Sequence, residues 1–420
     1  MLQKVNIRRK RSLEKYRGIV TDGLIAEIHD LAAWLKGARI VHINATAFGG
    51  GVAEMLQSLV PLMCDVGLDA EWRVIAGDDE FFTVTKAFHN GLQGMDLALS
   101  DEMKDTWQRY NRRNADEFEG AYDFVVVHDP QPAGLPHFRG DSGAKHWIWR
   151  SHIDTSHPNP AYWEFMVPFL ASYDAGVFSM REYEGDGLAF PELAIIYPSI
   201  DPLSRKNRPM SRRRARRICR GLGVDTDRPV ITQVSRYDPW KDPLGVIDAY
   251  RIVKESVPEL QLVLMASMAN DDPEGWEYLA RTQQHAGDDP DIHLLSFQRN
   301  NDLEVNALQT YCDVVIQKSV REGFGLVVTE AMWKGQAVVG GAVGGIPLQV
   351  IDGETGFLVH SIEECAEKVL YLLNNRDEAR MMGGAAKEHV RCNFLTPRHL
   401  RDYLELFRKL SASESPGAAV

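Results

Sequence analysis

Residues 38–66 read ARIVHINATAFGGGVAEMLQSLVPLMCDV, and this stretch decides the predicted fold. Residues 38–45 form a short, mostly apolar run with β-branched side chains, which predicts a buried strand. Three glycines follow at 49–51, and apolar residues then recur at helical spacing over 52–66. A strand, a glycine turn and an amphipathic helix in this order are typical of one βα unit of a parallel sheet.

Similar units recur along the rest of the chain. Further strands are predicted at 70–77, 122–127, 146–152, 176–180, 194–198, 230–235, 260–266, 292–297, 314–317 and 337–340. Helical patterns separate these runs, and the tail after Ser361 is helical to about Leu410. Continuous apolar strands that alternate with helices indicate parallel sheets covered on both faces.

The pattern is interrupted once, at PSIDPLS, residues 198–204. Turn residues with two prolines favour a linker at this point. We therefore predict an α/β protein of two Rossmann-like, doubly wound domains that face each other across a cleft. The first domain would span residues 1–203 and the second residues 204–395, with ligands at the carboxyl ends of the strands.

The composition of the 420 residues excludes several classes of protein. Apolar residues make up 44% and charged residues 25%, as in a globular protein with a sizeable core. No stretch approaches the ~18–20 apolar residues that cross a bilayer, and the basic start lacks the apolar region of a secretory signal. Five scattered cysteines without a C-x-x-C pair favour a reducing compartment. A cytoplasmic protein without a membrane partner is expected.

The net charge of −12 argues against a general nucleic-acid partner. The charge is uneven, because residues 204–220 hold nine arginines and lysines and no acid. Such a run can bind nucleic acid. No nucleic-acid-binding motif accompanies it, so the sequence favours a solvated, arginine-rich helix whose role stays open.

Two motifs of the second half point to phosphate chemistry. Arg236 and Lys241 follow its first predicted strand, and two cations at the carboxyl end of a strand suit a phosphate or diphosphate. In EGFGLVVTE, residues 322–330, two glycines open a junction between a loop and a helix, whose free N–H groups would also bind an anion. If the whole segment is helical, Glu322 and Glu330 lie ~12 Å apart, which exceeds the ~5–9.5 Å of a glycosidase pair. Taken singly, these residues could equally be surface cations, a capping acid and a solvated helical Glu.

In the first half, polar residues end two predicted strands. His128 and Asp129 follow the strand predicted at 122–127, whereas His152 ends the strand predicted at 146–152 and Asp154 comes just after it. His146 and His152 would share a strand but lie about 20 Å apart, so they cannot chelate one metal. No other cluster has ligand spacing, and we predict no metal site. The absence of G-x-S-x-G removes support for a serine hydrolase.

Together these features resemble the retaining GT-B glycosyltransferases of family 4. Several runs are similar to the trehalose glycosyltransferring synthases within it: HINATAFGGGVAEML (42–56), FHNGLQG (88–94), VHDPQPAGL (127–135), WRSHID (149–154), SRYDPWKDP (235–243), NDDPEGW (270–276) and REGFGLVVTEAMWKG (321–335). The resemblance covers nearly the whole chain. It implies a GT-B fold whose C-terminal helix, residues 396–420, packs back toward the N-terminal domain.

The resemblance also implies what the site residues do. Arg236 and Lys241 would hold the diphosphate, Glu322 the donor glucose and Glu330 the ribose. The catalytic set would be Glu322, Arg236, Lys241 and His152, the donor-binding set Gly50, Gly51, Arg236, Lys241, Glu322, Gly323, Phe324, Gly325, Leu326 and Glu330, and the acceptor-binding set Asp129, His152 and Asp154. No protein-bound metal or other cofactor is implied, so Mg²⁺ would act only through the nucleotide. A homodimer is also expected.

The implied reaction transfers glucose from ADP-, UDP- or GDP-glucose to free glucose, with retention, and forms trehalose reversibly. A nucleoside diphosphate is a good leaving group, so stabilising its charge matters more than protonating it. We see no enzymic nucleophile in the sequence, and we expect the departing phosphate oxygen to serve as the base on the same face.

Two alternatives stay open. A retaining trehalose phosphorylase, which uses inorganic phosphate, is similar in its motifs but is usually a longer chain, and it would leave Glu330 without a ribose. A non-catalytic sugar-nucleotide sensor, or a nucleic-acid-associated protein that uses the arginine run, is the more distant alternative.

Overall fold

The computed structural model describes residues 2–7, 10–48, 50–140, 143–267, 273–297 and 300–413. Gly49 of the glycine turn and residues 270–272 of the NDDPEGW run lie outside this part. The chain divides into two compact units, one of Met1–Ser199 with Thr396–Val420 and one of Ile200–Leu395. The boundary lies at residue 199 rather than at 203 as predicted, because Ile200 already pairs with Leu395 in a parallel bridge.

The first unit is built on a seven-stranded sheet. Its strands are β1 (Gln3–Lys4), β2 (Arg39–Asn44), β3 (Asp69–Val74), β4 (Tyr122–His128), β5 (Ala144–Arg150), β6 (Ala175–Phe178) and β7 (Glu192–Ile195). They lie in the order β1-β3-β2-β4-β5-β6-β7, and all pairs are parallel except β1 with β3. The order reverses between β2 and β4, and this reversal is the point where open α/β sheets bind ligands.

Four helices of this unit begin where a polar side chain caps the backbone. The helices between its strands are α1 (Asp22–Trp34), α2 (Gly50–Asp65), α3 (Asp79–Leu92), α4 (Asp101–Asp116), α5 (Leu135–Arg139) and α6 (Pro160–Leu170). Thr21, Asp78, Ser100 and Asn159 accept backbone N–H groups at the starts of α1, α3, α4 and α6. Aromatic residues of α3, α4 and α6 pack together into the core on one face of the sheet.

The second unit holds a six-stranded sheet in which every pair is parallel. Its strands are β8 (Val230–Val234), β9 (Gln261–Ser267), β10 (Ile292–Phe297), β11 (Val314–Gln317), β12 (Val338–Gly341) and β13 (Gly356–Val359). The order β10-β9-β8-β11-β12-β13 is that of a Rossmann sheet, with its reversal between β8 and β11. The sequence analysis found these strands except β13.

Helices cover both faces of this second sheet. They are α7 (Arg212–Gly221), α8 (Pro243–Ser256), α9 (Pro273–Ala286), α10 (Asp302–Tyr311), α11 (Leu326–Trp333), α12 (Ile346–Gln349), α13 (Ile362–Asn374) and α14 (Arg376–Asn393). Helix α7 carries the second part of the basic run. Its Ala215 and Cys219 are buried and it packs on α10, while Arg216 pairs with Asp227 at the surface.

The last helix, α15 (Thr396–Ser413), returns to the first unit and packs on α1 and α2. Its Phe407 stacks on Phe124 of β4 with ring centroids 4.4 Å apart. Its Arg398 donates to the carbonyl of Tyr197 at 2.7 Å. The helix therefore covers the sheet face that carries Phe124, as the family resemblance implied. No described helix is long and apolar enough to span a membrane.

Phe407→Ala is expected to lower the free energy of unfolding of the first unit by about 3–5 kcal/mol, because it opens a cavity between α15 and β4. Lys409→Ala, on the same helix, is the matched control. Its side chain is 67% exposed and pairs with Glu192, so its loss should change stability by about 1 kcal/mol or less. Urea unfolding followed by tryptophan fluorescence compares the two, and equal shifts would contradict the packing of α15.

Candidate active site

In the second unit, two loops leave the sheet at its strand reversal. Residues 235–242 follow β8 and residues 318–325 follow β11. The two strands pair in parallel, with Val314 opposite Ile231. Because parallel strands end at the same edge, the two loops are neighbours.

Lys241 is fixed by its backbone before its side chain reaches a partner. Its N–H donates to the Asp238 carboxylate at 3.1 Å, and its carbonyl accepts from Gln233 Nε2 at 2.8 Å. Lys241 Nζ then lies 2.7 Å from Glu322 Oε2, with both side chains largely buried. Ser319 Oγ donates to the same oxygen at 3.1 Å. The structure thus brings two predicted site residues into direct contact.

A second ion pair, which the sequence analysis missed, joins the same two loops. Lys318 Nζ contacts the carboxylate of Asp242, and its backbone N–H donates to Gln233 at 3.0 Å. Asp242 has a left-handed φ of 46° and accepts from the N–H of Gly245 at the start of α8. Two ammonium groups therefore stand at this edge, each balanced by a carboxylate.

Arg236 does not join the Lys241–Glu322 contact. Its guanidinium lies 3.1 Å from the carboxylate of Asp238, and its side chain is 62% exposed. Asp238 also accepts the backbone N–H of Lys241. The predicted pair of cations is thus linked only through Asp238 in this structure.

Helix α11 begins directly after Gly325, which has a left-handed φ of 84°. This backbone conformation favours glycine, and a Cβ on Gly325 would also lie in tight contact, 3.2 Å from Glu322 Cγ. The N–H groups of Leu326 and Val327 have no acceptor within the helix, whereas the N–H of Val328 donates to the carbonyl of Gly325 at 2.9 Å. The first two of these N–H groups carry partial positive charge, which favours an anion beside Glu322 and Lys241.

The residues just before α11 pack against α12 and the end of α14. Phe324 is buried and its ring packs against Phe394 at 5.7 Å. Gln349 donates to the carbonyl of Phe324. A Cβ on Gly345 would come within 2.9 Å of the carbonyl oxygen of Gly323, so the turn lies directly on α12. This packing fixes the height of the helix start.

Glu330 lies inside α11, buried, with its carboxylate 3.2 Å from Lys206 Nζ. The reading of Glu330 as a solvated helical acid is therefore wrong. Glu322 precedes the helix, which starts only at Leu326, so the ~12 Å separation expected for a continuous helix does not apply. Lys206 comes from the basic run, whose neighbour Asn207 accepts from Trp333 Nε1 at 3.0 Å. Part of that run thus packs against α11.

In the first unit, Asp129 follows β4 directly, with a left-handed φ of 64°. Its Oδ1 accepts the backbone N–H of His152 at 2.8 Å, and its carbonyl accepts from Trp149 Nε1 at 3.2 Å. Desolvation raises the pKa of the Asp129 carboxyl to about 7, although this hydrogen bond and the charge of Arg150 act in the opposite direction. The group therefore titrates near neutral pH.

His152 lies beyond the end of β5 and not within a strand, contrary to the prediction for 146–152. Its Nε2 is 2.9 Å from Nδ1 of His128, whose Nε2 is 3.0 Å from Nδ1 of His42. Burial lowers the pKa of His152 well below its usual value, so its ring is neutral. The sequence analysis named His128 without a role and missed His42.

Arg150, the last residue of β5, is fully buried, and the sequence analysis included it in the WRSHID run without a role. Its Nη2 donates to Ser179 Oγ at 3.2 Å, whereas Nε and Nη1 have no hydrogen-bond partner in the described part of the chain. Its charge interacts with Asp129 and Tyr403. From the sequence, an arginine at the end of a strand is expected to be exposed to solvent. The burial of Arg150 is therefore known only from the folded structure.

The remaining predicted residues lie on turns at the same edge of the sheet. Gly50 has a left-handed φ of 79° and starts α2, and Gly51 follows in its first turn. Asp154 is buried and accepts from the N–H and the hydroxyl of Ser156 at 3.0 and 2.6 Å, so its carboxylate supports its own turn.

No other feature of the described chain competes as a site of chemistry. Its histidine, cysteine, aspartate and glutamate side chains form no group of three or more that could hold a metal ion. A cavity of about 770 Å³ lies beside the N-terminal arm, between residues such as Lys10 and Pro61, and none of the predicted site residues lines it.

Known proteins resemble this chain over most of its length. A family model described as trehalose synthase, N-terminal domain, matches residues 42–185, and one described as glycosyl transferases group 1 matches residues 216–389. A trehalose synthase of Rubrobacter xylanophilus is 54% identical over 98% of this chain and 99% of its own length. A trehalose phosphorylase of Pleurotus sajor-caju is 26% identical over 90% of this chain but only 59% of its own length.

Among solved structures, a UDP-forming α,α-trehalose-phosphate synthase from Burkholderia xenovorans superposes with a TM-score of 0.71. It is 17% identical and covers 89% of this chain and 99% of its own, so the likeness shows a shared fold. The near-complete match at 54% identity, together with the two family models, goes further. The chain belongs to the trehalose synthase family of GT-B glycosyltransferases.

Proposed function

We propose that this glycosyltransferase moves glucose from a nucleoside-diphosphate glucose to free glucose and so forms trehalose, reversibly and with retention. The observation that carries the proposal is the buried Lys241–Glu322 pair beside the start of α11. It combines a cation and a helix N-terminus for the diphosphate with a carboxylate for sugar hydroxyls. The likeness to the trehalose synthase of Rubrobacter xylanophilus supports the choice of product.

The second unit would hold the donor. The ammonium group of Lys241, which pairs with Glu322 in the free protein, would also pair with the diphosphate. Arg236 is exposed on the same loop, and its guanidinium would move to contact the diphosphate as well. Lys318 adds a third cation, which the sequence analysis did not expect. Glu322 would accept hydroxyls of the donor glucose, and Glu330 those of the ribose. The backbone from Gly323 to Leu326 and the turn at Gly50 and Gly51 would meet the phosphates.

The first unit would hold the acceptor glucose through Asp129, His152 and Asp154. The 2.8 Å hydrogen bond from the His152 N–H to the Asp129 carboxylate joins the turns that follow β4 and β5, and we call this contact the Asp129–His152 corner. His152 Nε2 contacts His128, so the neutral ring leaves Nδ1 for a hydroxyl of the sugar, and a hydroxyl can both donate and accept. This pairing suits a sugar better than a charged ligand.

The leaving group shapes the chemistry that we propose. Cations and helix N–H groups would stabilise the charge that develops on the departing diphosphate, so no general acid is needed. That diphosphate oxygen would take the proton of the incoming hydroxyl on the same face of the sugar, which retains the anomeric configuration. Glu322 is already engaged by Lys241 and Ser319, which does not favour it as a nucleophile.

Cofactor, assembly and location remain part of the proposal. We infer that the protein binds no metal of its own and that Mg²⁺ would act only on the nucleotide. A cytoplasmic homodimer that binds neither nucleic acid nor membrane is also proposed, on the family resemblance and the acidic composition.

Proton NMR of the purified protein with trehalose tests the reaction directly. One set of samples receives ADP, UDP or GDP, and a parallel set receives inorganic phosphate. We expect nucleoside-diphosphate glucose and glucose with a nucleotide only. α-Glucose 1-phosphate formed with phosphate only would overturn the synthase in favour of the phosphorylase. Sugar-nucleotide binding without turnover would favour the non-catalytic sensor.

Glu330→Ala separates ribose binding from a purely structural role. Lys206→Ala is its matched control, since each variant breaks the same buried ion pair. We expect Glu330→Ala to raise KM for the nucleotide by about 10-fold or more beyond any change in Lys206→Ala, because a hydrogen bond to a charged group contributes ~1.5–3 kcal/mol. Equal effects in steady-state kinetics would assign Glu330 to folding alone.

The pH dependence of kcat/KM for glucose reports on Asp129. Because burial raises the pKa of its carboxyl to about 7, the ionised acceptor form predominates only above that pH. We expect kcat/KM to fall as the pH drops below about 7, by up to about tenfold per unit. Asp129→Asn, which keeps an oxygen for the His152 N–H, should lose this slope together with ~100-fold or more of the rate. Asp154→Asn should keep the slope, and an unchanged slope in Asp129→Asn would contradict the assignment.

A further inference from the structure

Three imidazole rings form a continuous line across the sheet of the first unit. His42 Nδ1 lies 3.0 Å from His128 Nε2, and His128 Nδ1 lies 2.9 Å from His152 Nε2. In both neighbouring pairs the ring centroids are 5.2 Å apart and the ring planes differ by 30° or less, so an N–H in one ring plane can point at the nitrogen of the next ring. We call His42, His128 and His152 the histidine row. The proposed function uses its last member and leaves the other two unexplained.

The strand register builds this row. β2 and β4 place His42 opposite Val126, and β4 and β5 place His128 opposite Arg150. Side chains two residues apart on a strand share a face, so His128 lies on the face of Val126 and therefore of His42. His128 therefore lies nearer the carboxyl edge of the sheet than His42, and His152 lies nearer that edge than His128. The line runs from the buried interior toward the edge where parallel sheets bind ligands.

All three rings are neutral near physiological pH. Burial lowers the pKa of His42 to about 3 and lowers the pKa of His128 and His152 well below the usual value. The guanidinium of Arg150 acts in the same direction on His128 and His152. From α15, Tyr403 meets the His42 ring edge to face, and His399, whose pKa burial also lowers, stacks on Tyr403. Asp129, bonded to the backbone of His152, is the nearby acid.

Neutral rings restrict the row to two states. A neutral imidazole has one N–H and one bare nitrogen, and each contact between rings needs one of each. If His42 donates from Nδ1, then His128 accepts at Nε2 and donates from Nδ1, and His152 accepts at Nε2 and carries its proton on Nδ1. In the other state, every ring carries its proton on Nε2. The tautomer of one ring therefore fixes the tautomers of the other two.

The buried end of the row decides between these states. His42 Nε2 is buried and has no hydrogen-bond partner in the described part of the chain. In the Nε2–H state this atom would be an orphaned donor, whereas in the Nδ1–H state it is a bare nitrogen. Orphaned N–H groups are the rarer defect of protein interiors, which favours the Nδ1–H state.

We propose that His42 and His128 are positioning residues that hold His152 in its Nδ1–H form, as a hydrogen-bond donor to an oxygen of the bound sugar. The identification of the ligand as a sugar rests on the proposed function, whereas the tautomer of His152 does not depend on that function. A fixed donor discriminates between sugar hydroxyls by their lone pairs and cannot act as a general base. The histidine row therefore fixes the tautomer of His152 in the folded protein, whereas the substrate would select the tautomer of an isolated histidine.

NMR of the ¹⁵N-histidine-labelled full chain, without any ligand, measures the tautomers. Long-range nitrogen–proton correlations distinguish Nδ1–H from Nε2–H, and single substitutions assign the three rings. We expect Nδ1–H in His42, His128 and His152. An Nε2–H form of His152, or a mixture, would overturn the proposal.

Two substitutions of His42 separate the row from simple packing. His42→Phe keeps a ring of similar shape but removes the nitrogen, so His152 should become a mixture of tautomers and kcat should fall by roughly tenfold. His42→Asn offers an amide N–H near the position of Nδ1 and should restore the single tautomer and most of the rate. His146→Phe, a buried histidine of β5 outside the row, is the matched control for ring replacement in this sheet.

The outcomes are decisive in each combination. Equal losses in His42→Phe and His42→Asn, or a wild-type His152 tautomer in His42→Phe, would overturn the positioning role. If His42→Phe does not fold, the wild-type tautomers and the His42→Asn rate still decide. A chain that shows the Nδ1–H row but makes no trehalose would refute the proposed function alone, whereas an active synthase with mixed tautomers would refute the row alone.

Discussion

The parallel pairing of strands across two reversals of strand order is the constraint on which the rest depends. β8 lies beside β11 in one unit and β2 beside β4 in the other. At each place the following helices leave in opposite directions, so the loops after the two strands are left at an open edge. The Lys241–Glu322 pair and the Asp129–His152 corner both stand at such edges. A sheet that separated β8 from β11, or β4 from β5, would separate these side chains.

Buried charge is the second theme of the molecule. Lys241, Lys318 and Glu330 are all largely removed from water, and each has an oppositely charged partner. Removing one member of such a pair leaves an uncompensated charge, so the pairs hold the loops in place while no substrate is bound. An incoming diphosphate can replace a carboxylate as the partner of an ammonium group. The same contacts therefore serve stability in the free protein and would serve binding in the complex.

Several elements were predictable from pattern alone. The strands predicted at 292–297 and 314–317 have the same first and last residues in the structure. Each is a short apolar run with turn residues on both sides, so the sequence itself marks where the strand begins and ends. The position of Lys241 at the carboxyl end of a strand was predicted from the pattern, whereas its direct contact with Glu322 was revealed by the structure. The start of α11 was also predicted, because the glycines of EGFGLVV mark a junction between a loop and a helix, and the helix begins directly after Gly325. The left-handed φ of 84° at Gly325 is a conformation that glycine adopts without steric cost.

By itself, the sequence determined the βα alternation, the two-domain division and the residues that carry charge at strand ends, because hydrophobic period and turn chemistry are local properties. The tertiary structure alone decided which of those residues meet. Register aligned His42, His128 and His152 into one row, and α15 covered the sheet face that carries it. Burial turned Arg150 and Glu330 from ordinary polar residues into interior charges. Contacts between residues more than a hundred positions apart, and the desolvation that they produce, depend on the whole fold and leave no trace in a local pattern.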